Sequence, residues 1–223
     1  MPTRRTFLTC LAALAASGAP DGPAAALQPV SAVGLDTPEG TALLERIRRG
    51  GTVMFIRHAD TAGEPCDAYG DAREDQRNVS PAGREQAVTL GARIEALGIP
   101  VAKPVLAGPV FRARDTAELA FGVDGVRVTD SLLADDYAGG RLDWVLSEHR
   151  RLFGAPVPEG ENRVLVGHRF PAQMIFGSVL SGTSLPEAGV LVLEPRGDGA
   201  AEILGVLAIV PVLGDGNPRC RPR

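Results

Sequence analysis

Val53-Met54-Phe55-Ile56, followed at once by Arg57-His58, is a continuous apolar run of strand length that ends on two side chains capable of chemistry. Apolar residues without alternation suit a strand buried on both faces, as in a parallel sheet covered by helices. A second such run, Arg163-Val164-Leu165-Val166, ends on Gly167-His168. Between and around them the pattern alternates. Thr37-Pro38-Glu39 with Leu43, Leu44 and Ile47 predicts a capped helix stopped by Gly50-Gly51. Ser80-Pro81 opens a helix with Ala87, Leu90, Ile94 and Leu97 as its apolar stripe and Gly98 after it. Val105-Leu106-Ala107 reads as a short strand, Pro109 to Phe121 as a helix, Val126-Arg127-Val128 as a strand and Leu142 to Phe153 as a helix. A helix from Pro171 to Leu180 and strands at Val190–Leu193 and Ile203–Val210 close the chain.

Strands alternating with helices at this spacing predict an α/β fold: a three-layer α/β/α sandwich around a mostly parallel sheet. Ligands in such sheets bind beyond the carboxyl ends of the strands. That rule points at Arg57-His58 and at Gly167-His168, which would meet at one edge. The polar stretch Ala59 to Asn78, without usable periodicity, reads as a long surface loop of the kind that carries function.

With 223 residues the chain suffices for one sizeable domain. A net charge of −4 supplies no basic field, which argues against nucleic acid as a partner. The only lysine is Lys103, so arginine carries almost all positive charge and an arginine means something only where its position adds a reason.

The first residues differ from the rest. Thr3-Arg4-Arg5-Thr6-Phe7-Leu8 precedes the apolar run Leu11-Ala12-Ala13-Leu14-Ala15-Ala16 and small residues up to Ala26. This pattern over residues 1–27 is that of a twin-arginine export signal, followed by one domain over 28–223 with a Pro/Arg-rich tail, in the periplasm or outside the cell. The run is too short to span a bilayer. Loss of the signal would leave Cys66 and Cys220, either paired as a disulfide in an oxidising compartment or as two free thiols.

Arg112, in Gly108-Pro109-Val110-Phe111-Arg112, would project from the first turn of a helix that follows a strand, where free backbone N–H groups favour an anion. Two arginines and two histidines at one edge form an oxyanion site. Arginine offers a fixed fork of donors that matches phosphate oxygens, and a neutral imidazole offers a lone pair as nucleophile. With arginines supplying the positive charge, this chemistry requires no metal and no cofactor. Three histidines without a close His/Asp/Cys cluster also argue against a metal site.

Arg57-His58-Ala59-Asp60-Thr61 resembles the Arg-His-Gly-x-Thr signature of the histidine phosphatase superfamily, the phosphoglycerate mutase-like fold (branch 1). Val79-Ser80-Pro81-Ala82-Gly83-Arg84-Glu85-Gln86-Ala87, Gly108-Pro109-Val110-Phe111-Arg112 with Thr116-Ala117, and Val164-Leu165-Val166-Gly167-His168 are similar to three further segments of that family, in the same order. The resemblance runs from about residue 52 to 195. It implies His58 as the phosphorylated nucleophile, His168 as a stabiliser of the transferring group, Arg57 and Arg112 as holders of its oxygens, and Thr61 as a hydrogen-bonding neighbour of the first histidine. The stretch Asp67 to Asn78 is loosely similar to exported members related to the lipopolysaccharide core heptose-phosphate phosphatases, which bears on substrate alone.

The chain departs from the family pattern at Ala59 (usually Gly), Gly108 (commonly Ser) and Arg169, which would add charge to the pocket or crowd it. Ala59 fits if its φ stays negative. The family's proton donor falls at Leu133-Ala134-Asp135-Asp136: Asp135, with Asp136 in reserve, or else an exposed acidic turn. His149, between Glu148 and Arg150-Arg151, reads as solvated on a polar helix face, Trp144 as packing, and Gly197-Asp198-Gly199 as a turn between strands. The expected function is hydrolysis of a small or sugar phosphomonoester through a phosphohistidine. A phosphomutase and a non-catalytic phosphate- or phosphosugar-binding protein are the alternatives.

Overall fold

The computed structural model describes residues 29–63 and 67–214, so the export pattern of residues 1–27 and the Cys66–Cys220 pair lie outside the described residues. Seven strands form one sheet: β1 (Ala32–Gly34), β2 (Val53–Arg57), β3 (Val105–Ala107), β4 (Val126–Val128), β5 (Arg163–Gly167), β6 (Val190–Gly197) and β7 (Ala200–Ala208). Their order is β1-β7-β6-β2-β5-β3-β4, and every neighbouring pair is parallel except β6 with β2 and β6 with β7. β6 alone therefore runs against the rest, joined to β7 through the turn at Asp198-Gly199.

The apolar run of β2 explains the three layers. Met54 and Ile56 pack into one buried cluster with Leu43 and Ile47 of α1 (Pro38–Arg48), Leu90 and Ile94 of α2 (Pro81–Ala96), and Ala113 and Ala117 of α3 (Phe111–Phe121). Val53 and Phe55, on the opposite side of the pleat, pack with Leu152 and Phe153 of the long helix Leu142–Gly154 and Ala172 of the helix Arg169–Phe176. Counting the four-residue helix α4 (Asp135–Ala138), these two are α5 and α6. Thr37 and Ser80 cap α1 and α2 as their sequences predict, each accepting the backbone N–H three residues on. α2 and α3 touch at Gly91, where a Cβ would stand 2.0 Å from the Ala120 carbonyl oxygen.

At the amino ends of the central strands, buried Asn162 accepts from Thr52 and donates to the carbonyls of Ile47 and Pro100, tying α1, β2 and the approach to β5 together. Element boundaries moved by a few residues from expectation. α6 begins at Arg169 and gives way after Phe176 to a 3-10 turn, Gly177–Leu180, while β7 begins at Ala200 and β6 runs on to Gly197. Strand β1 had no signal of its own: Ala32-Val33-Gly34 is three residues long, too short to set a pattern, and only partly buried.

One reading of α5 is corrected and another, of Trp144 as core or helix packing, is narrowed. His149 is fully buried, not solvated, because it shares the inward face with Val145, Leu152 and Phe153 at helical spacing. Its ring meets Phe55 and Phe153 edge-on, and Nδ1 bonds the Val145 carbonyl at 2.8 Å. Trp144, one residue off that face, is 44% exposed and does not pack in the core.

Burial lowers the pKa of His149 from 6.5 to about 4. The imidazole is neutral in both folded and unfolded chains above pH 6.5. As the pH falls from 6.5 towards 4 the unfolded chain takes up a proton that the folded chain refuses, so stability is lost over that window, by about 3 kcal/mol for this residue. In His149→Leu that share of the loss is expected to disappear, read as the difference between urea unfolding free energies at pH 7 and pH 4 for the two proteins.

Candidate active site

The carboxyl ends of β2, β5 and β3 lie side by side, since β2 pairs with β5 at Arg57↔Gly167 and β5 with β3 at Ala107↔Val166. His58 follows the end of β2, and its backbone is held on both flanks: its N–H donates to the Gly167 carbonyl and its carbonyl accepts from Ala188 N–H, both at 3.0 Å. His168 follows β5 and caps α6. The two rings stand 5.4 Å apart, centre to centre. Arg112 enters from the first turn of α3, just after β3. A small pocket of about 80 Å³ is lined by Arg57, His58, Arg112 and His168, and also by Arg77, Asp135, Asp136, Arg169 and Phe170.

The sequence-derived group is thus brought together, with Thr61 standing behind it rather than in the pocket lining. Thr61 is buried and donates to Glu187 Oε1 at 3.0 Å. Asp60 turns away, accepting from Ser80 Oγ at the cap of α2. Ala59 keeps a negative φ, as the replacement of glycine requires, and its N–H donates to Thr116 Oγ1. Gly108 also has a steric cause: a Cβ there would lie 2.3 Å from the Leu132 carbonyl oxygen, so the serine common at this position has no room. Arg169 enters no ion pair among the described residues; it lines the pocket, and its charge acts on Arg57. Its guanidinium donates to the Gly182 carbonyl at 2.7 Å and lies over the Phe170 ring.

His58 Nδ1 is 2.9 Å from the Ala59 carbonyl oxygen. That contact requires the proton on Nδ1 and leaves Nε2 with the lone pair. Burial, then the charges of Arg57 and Arg112, hold the His58 pKa well below its ordinary value, so the ring is neutral at neutral pH. His168 is depressed by burial first and Arg112 second, and its Nε2 is buried with no hydrogen-bond partner among the described residues.

Two residues that sequence reasoning did not single out, Glu187 and Asp67, add to the electrostatics, beside the expected Asp135 and Asp136. Glu187, buried between β2 and the start of β6, faces Arg57 at 3.3 Å as well as Thr61. It precedes a buried strand at the edge where β2 and β5 end, a position only the antiparallel direction of β6 creates. Asp67 takes Arg112 NH1 at 3.1 Å, the Tyr137 hydroxyl at 2.8 Å and the Arg77 backbone N–H at 2.8 Å. Asp135 and Asp136 begin α4 at the pocket wall, and burial raises both carboxyl pKa values. Asp136 lies 3.6 Å from Arg112 NH2, a contact that favours its ionised form. Among the described residues no group of three His, Cys, Asp or Glu stands close enough to hold a metal, and no helix is long and apolar enough to cross a membrane.

Fold and site together describe an α/β sandwich with a buried, arginine-lined oxyanion pocket at the carboxyl edge of its sheet. The chain is similar in structure to the protein histidine phosphatase SixA complexed with tungstate (13% identity, 71% of this chain and 97% of that one, TM-score 0.46). It is likewise similar to a phosphoserine phosphatase from Entamoeba histolytica (13%, 70% and 95%, 0.49) and a mycobacterial glucosyl-3-phosphoglycerate phosphatase (19%, 70% and 97%, 0.45). No protein-family model matches the chain, and no curated protein does.

Glu187 offsets the charge of a buried guanidinium. Glu187→Gln keeps the shape but takes a carboxylate away from the buried guanidinium of Arg57, and the expected cost is about 3 kcal/mol of stability. Urea unfolding measures it, with Glu187→Asp expected to recover part of the loss.

Proposed function

We propose that the protein is a phosphomonoesterase working through a phosphohistidine on His58. The observation that carries this reading is the neutral His58 imidazole, its Nδ1–H directed to the Ala59 carbonyl, lining a pocket with Arg57, Arg112 and His168. Arg57 and Arg112 supply donors and positive charge for the non-bridging oxygens of the ester, and His168 donates to the same group in the transition state. Nε2 of His58 attacks phosphorus in line as the ester P–O bond breaks. The leaving oxygen takes a proton from a carboxyl group of the pocket lining. Water, deprotonated by the resulting carboxylate, then attacks phosphorus, the P–N bond breaks, and phosphate departs with both groups restored.

Asp135 is the better proton donor. Asp136 contacts Arg112, whereas no ion pair within 4 Å holds Asp135 in its ionised form among the described residues, and burial raises its pKa. The paired arginines at Arg4-Arg5 ahead of a short apolar run support action outside the cytoplasm. The narrow pocket supports a small-molecule phosphomonoester as the substrate.

His58→Ala is expected to abolish phosphate release from alkyl and nitrophenyl phosphates; release at wild-type rates would overturn the mechanism. Bound phosphate with no release by either protein would leave a binding protein. Asp135→Asn is expected to slow alkyl esters by about a hundredfold and nitrophenyl phosphate, a good leaving group, much less. The acid must be protonated to act. kcat/KM for an alkyl ester should therefore fall as the pH rises through its raised pKa, and nitrophenyl phosphate should lack that limb. The same contrast in Asp136→Asn instead would reassign the donor.

A further inference from the structure

Besides Arg57, Arg112 and Arg169, which is bonded to the Gly182 carbonyl, the pocket contains a further arginine that the transfer of one phosphoryl group does not call for. Arg57 is answered by Glu187 and Arg112 by Asp67. Arg77 also lines the pocket, yet its guanidinium makes no hydrogen bond among the described residues. Its nearest carboxylate oxygen, Asp67 Oδ2, lies 3.9 Å from Nε. Asp67 cannot come closer without giving up other bonds, because its oxygens already accept from Arg112, Tyr137 and the Arg77 backbone. Burial and the charge of Arg112 lower the Arg77 pKa, against the opposing pull of Glu187, Asp67 and Asp136.

The loop aims Arg77 by construction. Residues 62 and 78 are joined by the Ala62 N–H to Asn78 carbonyl bond at 3.1 Å, beside the bridge between Thr61 and Val79. Gln76 is buried and accepts from the Phe111 N–H at the start of α3, which fixes the backbone immediately before Arg77. The side chain of Arg77 is 17% exposed, against 5% for Arg57 and 4% for Arg112, so it stands nearer the mouth. The charges that act most strongly on His58 are those of Arg57 and Arg112, whereas Arg77 acts on His168, Arg57 and Glu187. Arg77 thus lines the pocket nearer its mouth than Arg57 and Arg112, within reach of a part of a bound ester other than the group held by those two.

We propose that Arg77 binds a second anionic group of the substrate, so that the site selects phosphate esters carrying a carboxylate or a second phosphate a few bonds from the ester oxygen. This rests on the phosphomonoesterase reading of the same pocket. An arginine fork without a hydrogen-bond partner and with little solvent is what such a group would complete.

The test compares phosphoglycolate and ethylene glycol bisphosphate with ethyl phosphate, in wild type and in Arg77→Gln. The wild type is expected to favour the doubly anionic esters in kcat/KM, and Arg77→Gln to shrink that preference by roughly 10- to 100-fold, with Arg77→Lys in between. The carboxylate and phosphate arms separate the two sources of the second charge. A preference unchanged in Arg77→Gln overturns the proposal, whether the variant loses activity on every ester alike or on none. Calorimetric titration of the same compounds into both proteins reads the preference without turnover. If no ester is hydrolysed, the phosphatase reading fails, and the titrations still decide the role of Arg77.

Discussion

Parallel pairing of β2 with β5 in one particular register is the constraint on which everything at the site depends. Arg57 opposite Gly167 puts the residue after each strand beside its counterpart, and the His58 N–H to Gly167 carbonyl bond seals the arrangement. A slip of one residue would turn the side chains of β2 to the opposite face, exchanging Met54 and Ile56 for Val53 and Phe55 across two packed clusters. Core packing therefore enforces the register, and the register brings together two histidines that are distant in the chain. β6 completes the clamp from the other flank through Ala188 and Gly189.

Into this frame the fold places several arginines where water is scarce, and it does so by answering them unequally. Glu187 meets Arg57 and Asp67 meets Arg112, so these two forks are oriented before any ligand arrives. Burial leaves both pocket histidines, His58 and His168, neutral, which keeps a lone pair available and avoids adding like charge to the pocket. The same burial raises the carboxyl pKa values of Asp135 and Asp136. One physical cause, loss of solvent, thus moves base and acid in opposite directions and separates their roles.

How much of this was legible in the sequence follows from where each residue sits. Arg57, His58 and His168 end uninterrupted apolar runs, and Arg112 follows a strand–helix junction, so local pattern and the strand-end rule sufficed. The same holds for the caps Thr37 and Ser80. Glu187, Asp67 and Arg77 come from irregular segments, where nothing in the local pattern states which way a side chain points. Glu187 needed the direction of β6, and Asp67 needed the return of the loop against α3 and α4. His149 misled because its neighbours Glu148, Arg150 and Arg151 are charged, although its spacing from Val145, Leu152 and Phe153 puts it on the apolar face.

The site is divided between two kinds of support. His58 and His168 stand on strand ends bonded on both sides within the sheet, whereas Asp67 and Arg77 reach the pocket on a segment closed by the short Thr61–Val79 bridge and pinned by Gln76 and Arg73. Opening that segment would withdraw Asp67 and Arg77 and leave the histidine pair in place. Under the proposed function, the breadth of esters accepted would then be set by the closing free energy of one surface segment, a quantity that drift in sequence could alter without touching the histidine pair.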